Sequence, residues 1–164
     1  MKKIIFLFIL AVGGVLSTQA QEIADNALGL RLGDSDGFGA EISYQRAVGS
    51  DNNRLEFDLG WRDSRYYDAV KLVGLYQWVW KIDGGFNWYA GAGAGLGSYD
   101  FDPDNDRFND DDDELFALVA GNVGIEYNFD IPLMLSLDFR PEFGFDDYDD
   151  DVDLDIALGI RYQF

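Results

Sequence analysis

The sequence predicts an all-β fold, an eight-stranded antiparallel up-and-down transmembrane β-barrel. Three observations predict it. Apolar residues alternate with polar or small ones along eight segments. The connections between segments alternate between short turns and longer charged loops. Aromatic residues of the apolar face gather at the segment ends. A period of two marks strands whose two faces meet different surroundings.

Residues 1–20, MKKIIFLFILAVGGVLSTQA, stand apart from this pattern. Lys2 and Lys3 form a positive start, Ile4 to Leu16 is a mostly apolar stretch of 13 residues, and Thr18 and Ala20 are the small residues of a cleavage site. This is the pattern of a secretory signal peptide, and the stretch is short of the roughly 20 apolar residues that a spanning helix needs. Cleavage after Ala20 leaves one domain, residues 21–164, and takes the formal charge from −19 to −21 because both removed charges are lysines.

The strands follow in order. Leu28, Leu30 and Leu32 alternate with Gly29, Arg31 and Gly33. Phe38, Ala40, Ile42 and Tyr44 alternate with Glu41, Ser43 and Gln45. Leu55, Phe57, Leu59 and Trp61 oppose Glu56, Asp58, Gly60 and Arg62. Val70, Leu72, Tyr76, Trp78, Trp80 and Ile82 oppose Lys71, Gln77 and Lys81. Phe86, Trp88, Ala90, Ala92, Ala94 and Leu96 face away from Asn87, Tyr89 and four glycines. Val119, Val123, Ile125, Tyr127 and Phe129 oppose Asn122, Gly124, Glu126 and Asn128. Leu133, Leu135, Leu137, Phe139, Phe143 and Phe145 oppose Ser136, Asp138, Arg140 and Glu142. In the last, Val152, Leu154, Ile156, Leu158, Ile160, Tyr162 and Phe164 alternate without an error against Asp153, Asp155, Ala157, Gly159, Arg161 and Gln163.

Turns are expected at 50–53, 83–85 and 130–132, and longer loops at 33–37, 63–68, 100–114 and 146–151. Short turns at one end and longer loops at the other are the asymmetry of a membrane barrel. Alternation alone does not say which face is inside, because a soluble lipocalin-like barrel buries its apolar face and a membrane barrel turns it to lipid. The distribution of residues decides. Tyr44, Trp78, Trp80, Phe86, Trp88, Tyr127, Phe129, Tyr162 and Phe164 fall at the turn end, and Phe38, Trp61, Phe101, Phe143 and Phe145 at the loop end. Two aromatic girdles around an aliphatic middle match the two interfaces of a bilayer.

The polar face carries Arg31, Glu41, Glu56, Asp58, Lys71, Lys81, Glu126, Asp138, Arg140, Glu142, Asp155 and Arg161. These mixed charges are expected to pair inside a narrow barrel and fill it, since eight strands leave room for side chains or one small ligand. Several residues break the pattern. Val73, Leu75, Val79, Phe116 and Leu118 put apolar groups on the interior face. Pro141 lies inside the seventh segment without a ladder N–H, so a bulge or an end of pairing is expected there.

The signal peptide, the eight segments and the closing Tyr162-Gln163-Phe164 resemble the small eight-stranded outer-membrane barrels, of the type of outer membrane protein X and the membrane domain of outer membrane protein A. The resemblance covers residues 27–164. It implies a Gram-negative outer-membrane location, surrounding outer-membrane lipid, and recognition of the last strand, ending at Phe164, by the outer-membrane insertion machinery. It also implies a role in envelope integrity or surface interaction with an extracellular partner, and extracellular placement of the longer loops.

Composition excludes much chemistry. With no His and no Cys there is no Ser-His-Asp or Cys-His catalysis, no disulfide and no imidazole or thiolate metal site. The acidic charge argues against a nucleic-acid partner. The expectation is therefore a non-enzymatic protein without a resident cofactor. Alternatives are a narrow channel for small solutes and a soluble lipocalin-like binder of an apolar ligand. Calcium is the one ligand that the loops suggest. Asp102, Asp104 and Asp106 are spaced as at the start of a calcium loop, with Asp110 and Asp112 beyond them, although Arg107 stands where such loops place Gly.

Overall fold

The computed structural model describes residues 23–35, 38–49, 51–63, 67–101, 114–145 and 152–164. The signal segment and most of the acidic loops at 100–114 and 146–151, including Asp102, Asp104, Asp106, Asp110 and Asp112, lie outside the described residues.

Eight strands form: β1 (Asn26–Ser35), β2 (Phe38–Val48), β3 (Asn53–Asp63), β4 (Tyr67–Asp83), β5 (Phe86–Phe101), β6 (Glu114–Asn128), β7 (Leu133–Gly144) and β8 (Val152–Gln163). Each pairs antiparallel with its sequence neighbours, and β1 pairs with β8 to close the barrel. Asn26 and Phe164 exchange backbone hydrogen bonds of 3.1 and 2.9 Å at the seam. Closure removes the unpaired edge that a sheet cannot carry into hydrocarbon.

The register fixes the shape. Starting from Tyr162, the pairings run through Leu28, Tyr44, Phe57, Gly74, Ala94, Val119 and Phe143 and return to β8 at Val152, ten residues from the start. Ten residues at about 3.3 Å, set against eight strands about 4.8 Å apart, tilt the strands by about 40°. That geometry encloses a narrow interior, of a width that side chains or one small ligand can fill.

Turn chemistry matches the tight connections. Asn52 and Gly84 adopt positive φ of 54° and 56° in the β2–β3 and β4–β5 turns, the region open to Gly and tolerated by Asn. Strand lengths are uneven. β4, β5 and β6 have 17, 16 and 15 residues against 10–12 in the others, so this wall extends furthest along the barrel.

The pleat separates two chemistries. Leu154, Ile156, Leu158 and Ile160 are exposed on the outside, Leu158 at 62%, while Asp155 and Arg161 on the other face of the strand are buried at 1%. The same inversion runs around the barrel, through Leu28, Leu30, Leu32, Ile42, Leu59, Leu72, Val123 and Leu137. A lipocalin-like arrangement requires the opposite phase, so the soluble apolar-ligand binder is set aside. At the turn end the outer aromatics touch: Trp80 stacks on Trp88 with centroids 4.3 Å apart, and Phe86, Tyr127 and Phe129 form a chain.

Two further details differ from expectation. At Pro141 there is neither a bulge nor an end of pairing. Its partner across β8 is Leu154 in unbroken register, and pairing continues to Phe143. The absent N–H instead coincides with a gap in the β6–β7 ladder between Ala120/Glu142 and Val123/Phe139, without a register shift. The irregularities fall elsewhere, between Leu32 and Ser35 on β1 and between Lys81 and Asp83 on β4.

The outward placement of Leu158 gives a quantitative expectation. Leu158→Arg puts a charge midway along β8 on the hydrocarbon side. It should lower unfolding stability in phospholipid vesicles by about 2–4 kcal/mol, measured by denaturant titration followed through tryptophan fluorescence.

Candidate functional site: the charged barrel interior

Every strand sends alternate side chains inward, so charges far apart in sequence meet on the barrel axis. Among the described residues, five cations and seven carboxylates are buried there: Arg31, Arg54, Lys71, Arg140 and Arg161 with Glu41, Glu56, Asp58, Glu126, Asp138, Glu142 and Asp155. They divide into two groups.

The group nearer the loop end is built on two arginines. Arg31 of β1 donates from Nε and Nη2 to Asp138 Oδ1 at 3.0 and 2.6 Å, and from Nη1 to Glu41 Oε2 at 3.0 Å and to Asp155. Arg140 of β7 donates to both oxygens of Glu41 at 2.7 and 2.9 Å and to Asp58 Oδ2 at 3.0 Å. Its Nε also lies 2.7 Å from Glu142 Oε1. Lys71 of β4 donates to Glu142 Oε2 at 2.9 Å and lies 3.8 Å from Glu41. The planar guanidinium, with five donors, suits such multidentate hubs.

The group nearer the turn end is balanced. Arg161 donates to Glu56 Oε1 at 2.5 Å, to Ser43 Oγ at 2.9 Å and to Ser136 Oγ at 2.8 Å. Gln45 and Gln77 donate to Glu56 Oε2 at 2.9 and 2.6 Å. Arg54 Nη1 lies 2.7 Å from Glu126 Oε2, its Nε donates to Gln77 at 2.6 Å, and its guanidinium sits 4.7 Å over the Tyr89 ring.

An apolar cluster completes the interior. Val73, Leu75, Phe116, Leu118 and Ala120 pack together along the β4–β6 wall, with Tyr99 against them. Glycines of β5 make the room: a Cβ at Gly97 would strike the Phe116 ring, and one at Gly95 would crowd Leu118 and Val73 at 3.1 Å. Four of the five apolar residues that break the sequence pattern, Val73, Leu75, Phe116 and Leu118, are thus satisfied by one another; Val79 is buried outside this cluster.

Eleven of the twelve expected interior charges are buried on the axis. Lys81 is not, and is exposed at the turn end. It has inward parity and pairs with Asn87 of β5, but it lies beyond the end of the β3–β4 ladder, whose last pair is Asn53 with Trp78. Sequence reading missed Arg54, because the β2–β3 turn was expected to include Asn53 and the strand to begin near Leu55. The strand begins at Asn53 and so takes in Arg54, which shares the inward parity of Glu56. Tyr89, Gln77 and Asn122 also face inward, and parity already placed them there, although without a stated role.

No family profile and no curated protein matches the chain in sequence. Solved structures do match in shape. The N-terminal β-barrel domain of Pseudomonas aeruginosa OprF superposes with a TM-score of 0.66 at 12% identity, over 86% of this chain and 98% of that domain. Neisserial surface protein A gives 0.58 at 13% identity, over 85% and 94%. Ail, the attachment invasion locus protein of Yersinia pestis, gives 0.54 at 16% identity, over 87% and 100%. The fold is therefore that of the small eight-stranded outer-membrane barrels.

Arg31 serves three carboxylates, so its loss strands them in the interior. Arg31→Met should destabilise the barrel by about 3–5 kcal/mol. The check is the urea midpoint of the refolded variant against the unaltered protein in the same detergent.

Proposed function

We propose that the chain is a non-enzymatic outer-membrane protein whose barrel spans the bilayer with its lumen closed by its own side chains. Its role is structural or adhesive, with acidic extracellular loops as the interacting surface. The observation that carries this reading is the inversion of the barrel, with ionic side chains on the axis and aliphatic ones exposed. Such an exterior is stable only in hydrocarbon, because water would leave a continuous apolar surface exposed. The shape shared with OprF, NspA and Ail supports the location. The lack of His and Cys supports a non-enzymatic role.

In this reading residues 1–20 are removed on export, outer-membrane insertion machinery handles the alternating β8, and lipid surrounds the aromatic girdles. The dense ion pairing and the apolar cluster support a closed lumen over a solute pathway.

Folded barrel should migrate faster than boiled barrel in detergent gels and fractionate with outer membranes. A mature protein soluble in buffer without detergent contradicts the reading. In planar bilayers the closed lumen predicts no steady conductance, and stepwise openings at neutral pH would favour the channel instead. Calcium at Asp102, Asp104, Asp106, Asp110 and Asp112 is a secondary proposal from residue spacing. Calorimetry of the folded barrel should show binding with Kd of about 10⁻⁴–10⁻³ M, and absence of heat at millimolar calcium removes it.

A further inference from the structure

The two interior groups differ in charge balance. Near the turn end, Arg54 and Arg161 meet Glu56 and Glu126, two against two. Near the loop end, Arg31, Lys71 and Arg140 meet Glu41, Asp58, Asp138, Glu142 and Asp155, three against five. With every group ionised, this half of the bore holds two uncompensated negative charges. A buried ion without a counter-ion is among the costliest arrangements in a protein, and the usual relief is neutralisation.

The hydrogen bonds point to one carboxyl. Asp138 receives two donors from Arg31, Asp155 accepts from Arg31, Glu41 receives both arginines, and Glu142 has Lys71 and Arg140. Asp58 is fully buried; its Oδ2 accepts one bond from Arg140, and its Oδ1 has no hydrogen-bond partner among the described residues. A proton on Oδ1 displaces no existing bond.

The cations around Asp58 are engaged elsewhere. Glu41 of β2 competes with it for Arg140 of β7, and Glu56 on the same strand takes Arg161 of β8. Lys71 stands diagonal to it on β4, across from Gly60, but donates to Glu142. Arg140 is already shared with Glu41, Glu142 and, at 3.8 Å, Asp155. A metal ion is not the alternative, since no group of three carboxylates among the described residues is arranged to hold one. Glu142 is the most exposed of the five acids, at 5%, so the second negative charge has its nearest route to solvent there.

We propose that Asp58 is a proton-binding site of the folded barrel: at neutral pH its Oδ1 carries a proton taken from water, and the carboxyl is neutral.

Infrared spectroscopy of the full-length barrel in vesicles tests this directly. The unaltered protein at neutral pH should show the C=O stretch of a protonated carboxylic acid, shifted on transfer to heavy water, and Asp58→Asn should abolish it. No such band in the unaltered protein, or a band undiminished in Asp58→Asn, overturns the proposal. Should the variant not fold, labelling with ¹³C at aspartate carboxyls replaces it: a band that moves with the aspartate label supports the assignment, and one that moves only with a glutamate label overturns it.

Discussion

Hydrocarbon offers no hydrogen bonds, and nearly every feature of this chain answers to that fact. Backbone groups must pair within the protein, so the sheet closes on itself, with β1 bonded to β8 and Asn26 bonded to Phe164 at the seam. Closure fixes the register, and the register of ten fixes the bore. Because successive side chains of a strand point to opposite faces, each residue given to lipid commits the next one to the axis. Exterior and interior are one pattern seen from two sides.

The interior has to absorb what that pattern delivers. Arg31 and Arg140 act as hubs because a guanidinium can serve several carboxylates in one plane. Where β5 supplies glycines, neighbouring strands supply Phe116, Leu118 and Val73 to fill the space. Gly124 plays the same part on the polar side, where an added Cβ would press on the Tyr89 ring at 2.5 Å. Shape and charge are matched across strands distant in sequence, as in Arg31 with Asp138.

Much of the barrel was legible because strand parity is a local property. The eight strands, the three tight turns and the inward set from Arg31 to Arg161 follow from counting by twos. What was not legible depends on the partner strand. The exposure of Lys81 follows from β3 ending beside Trp78, short of it, and the inclusion of Arg54 in β3 from where the turn ends. The course of β7 past Pro141 depends on β8 holding register opposite it. Parity marked Val73 and Phe116 as anomalies, but only the three-dimensional meeting of β4 and β6 shows that they satisfy each other. Which carboxylate shares which arginine lies equally beyond the sequence, since those contacts cross the bore.

The phase of the barrel can be read residue by residue, because the chain has no native cysteine. Single cysteines at positions 154 through 158, labelled with a polarity-sensitive fluorophore and reconstituted with brominated lipids, report which side each position faces. Strong quenching at 154, 156 and 158 with little at 155 and 157 is the expected outcome. Quenching in the opposite phase, or equal at all five positions, would contradict the inverted barrel.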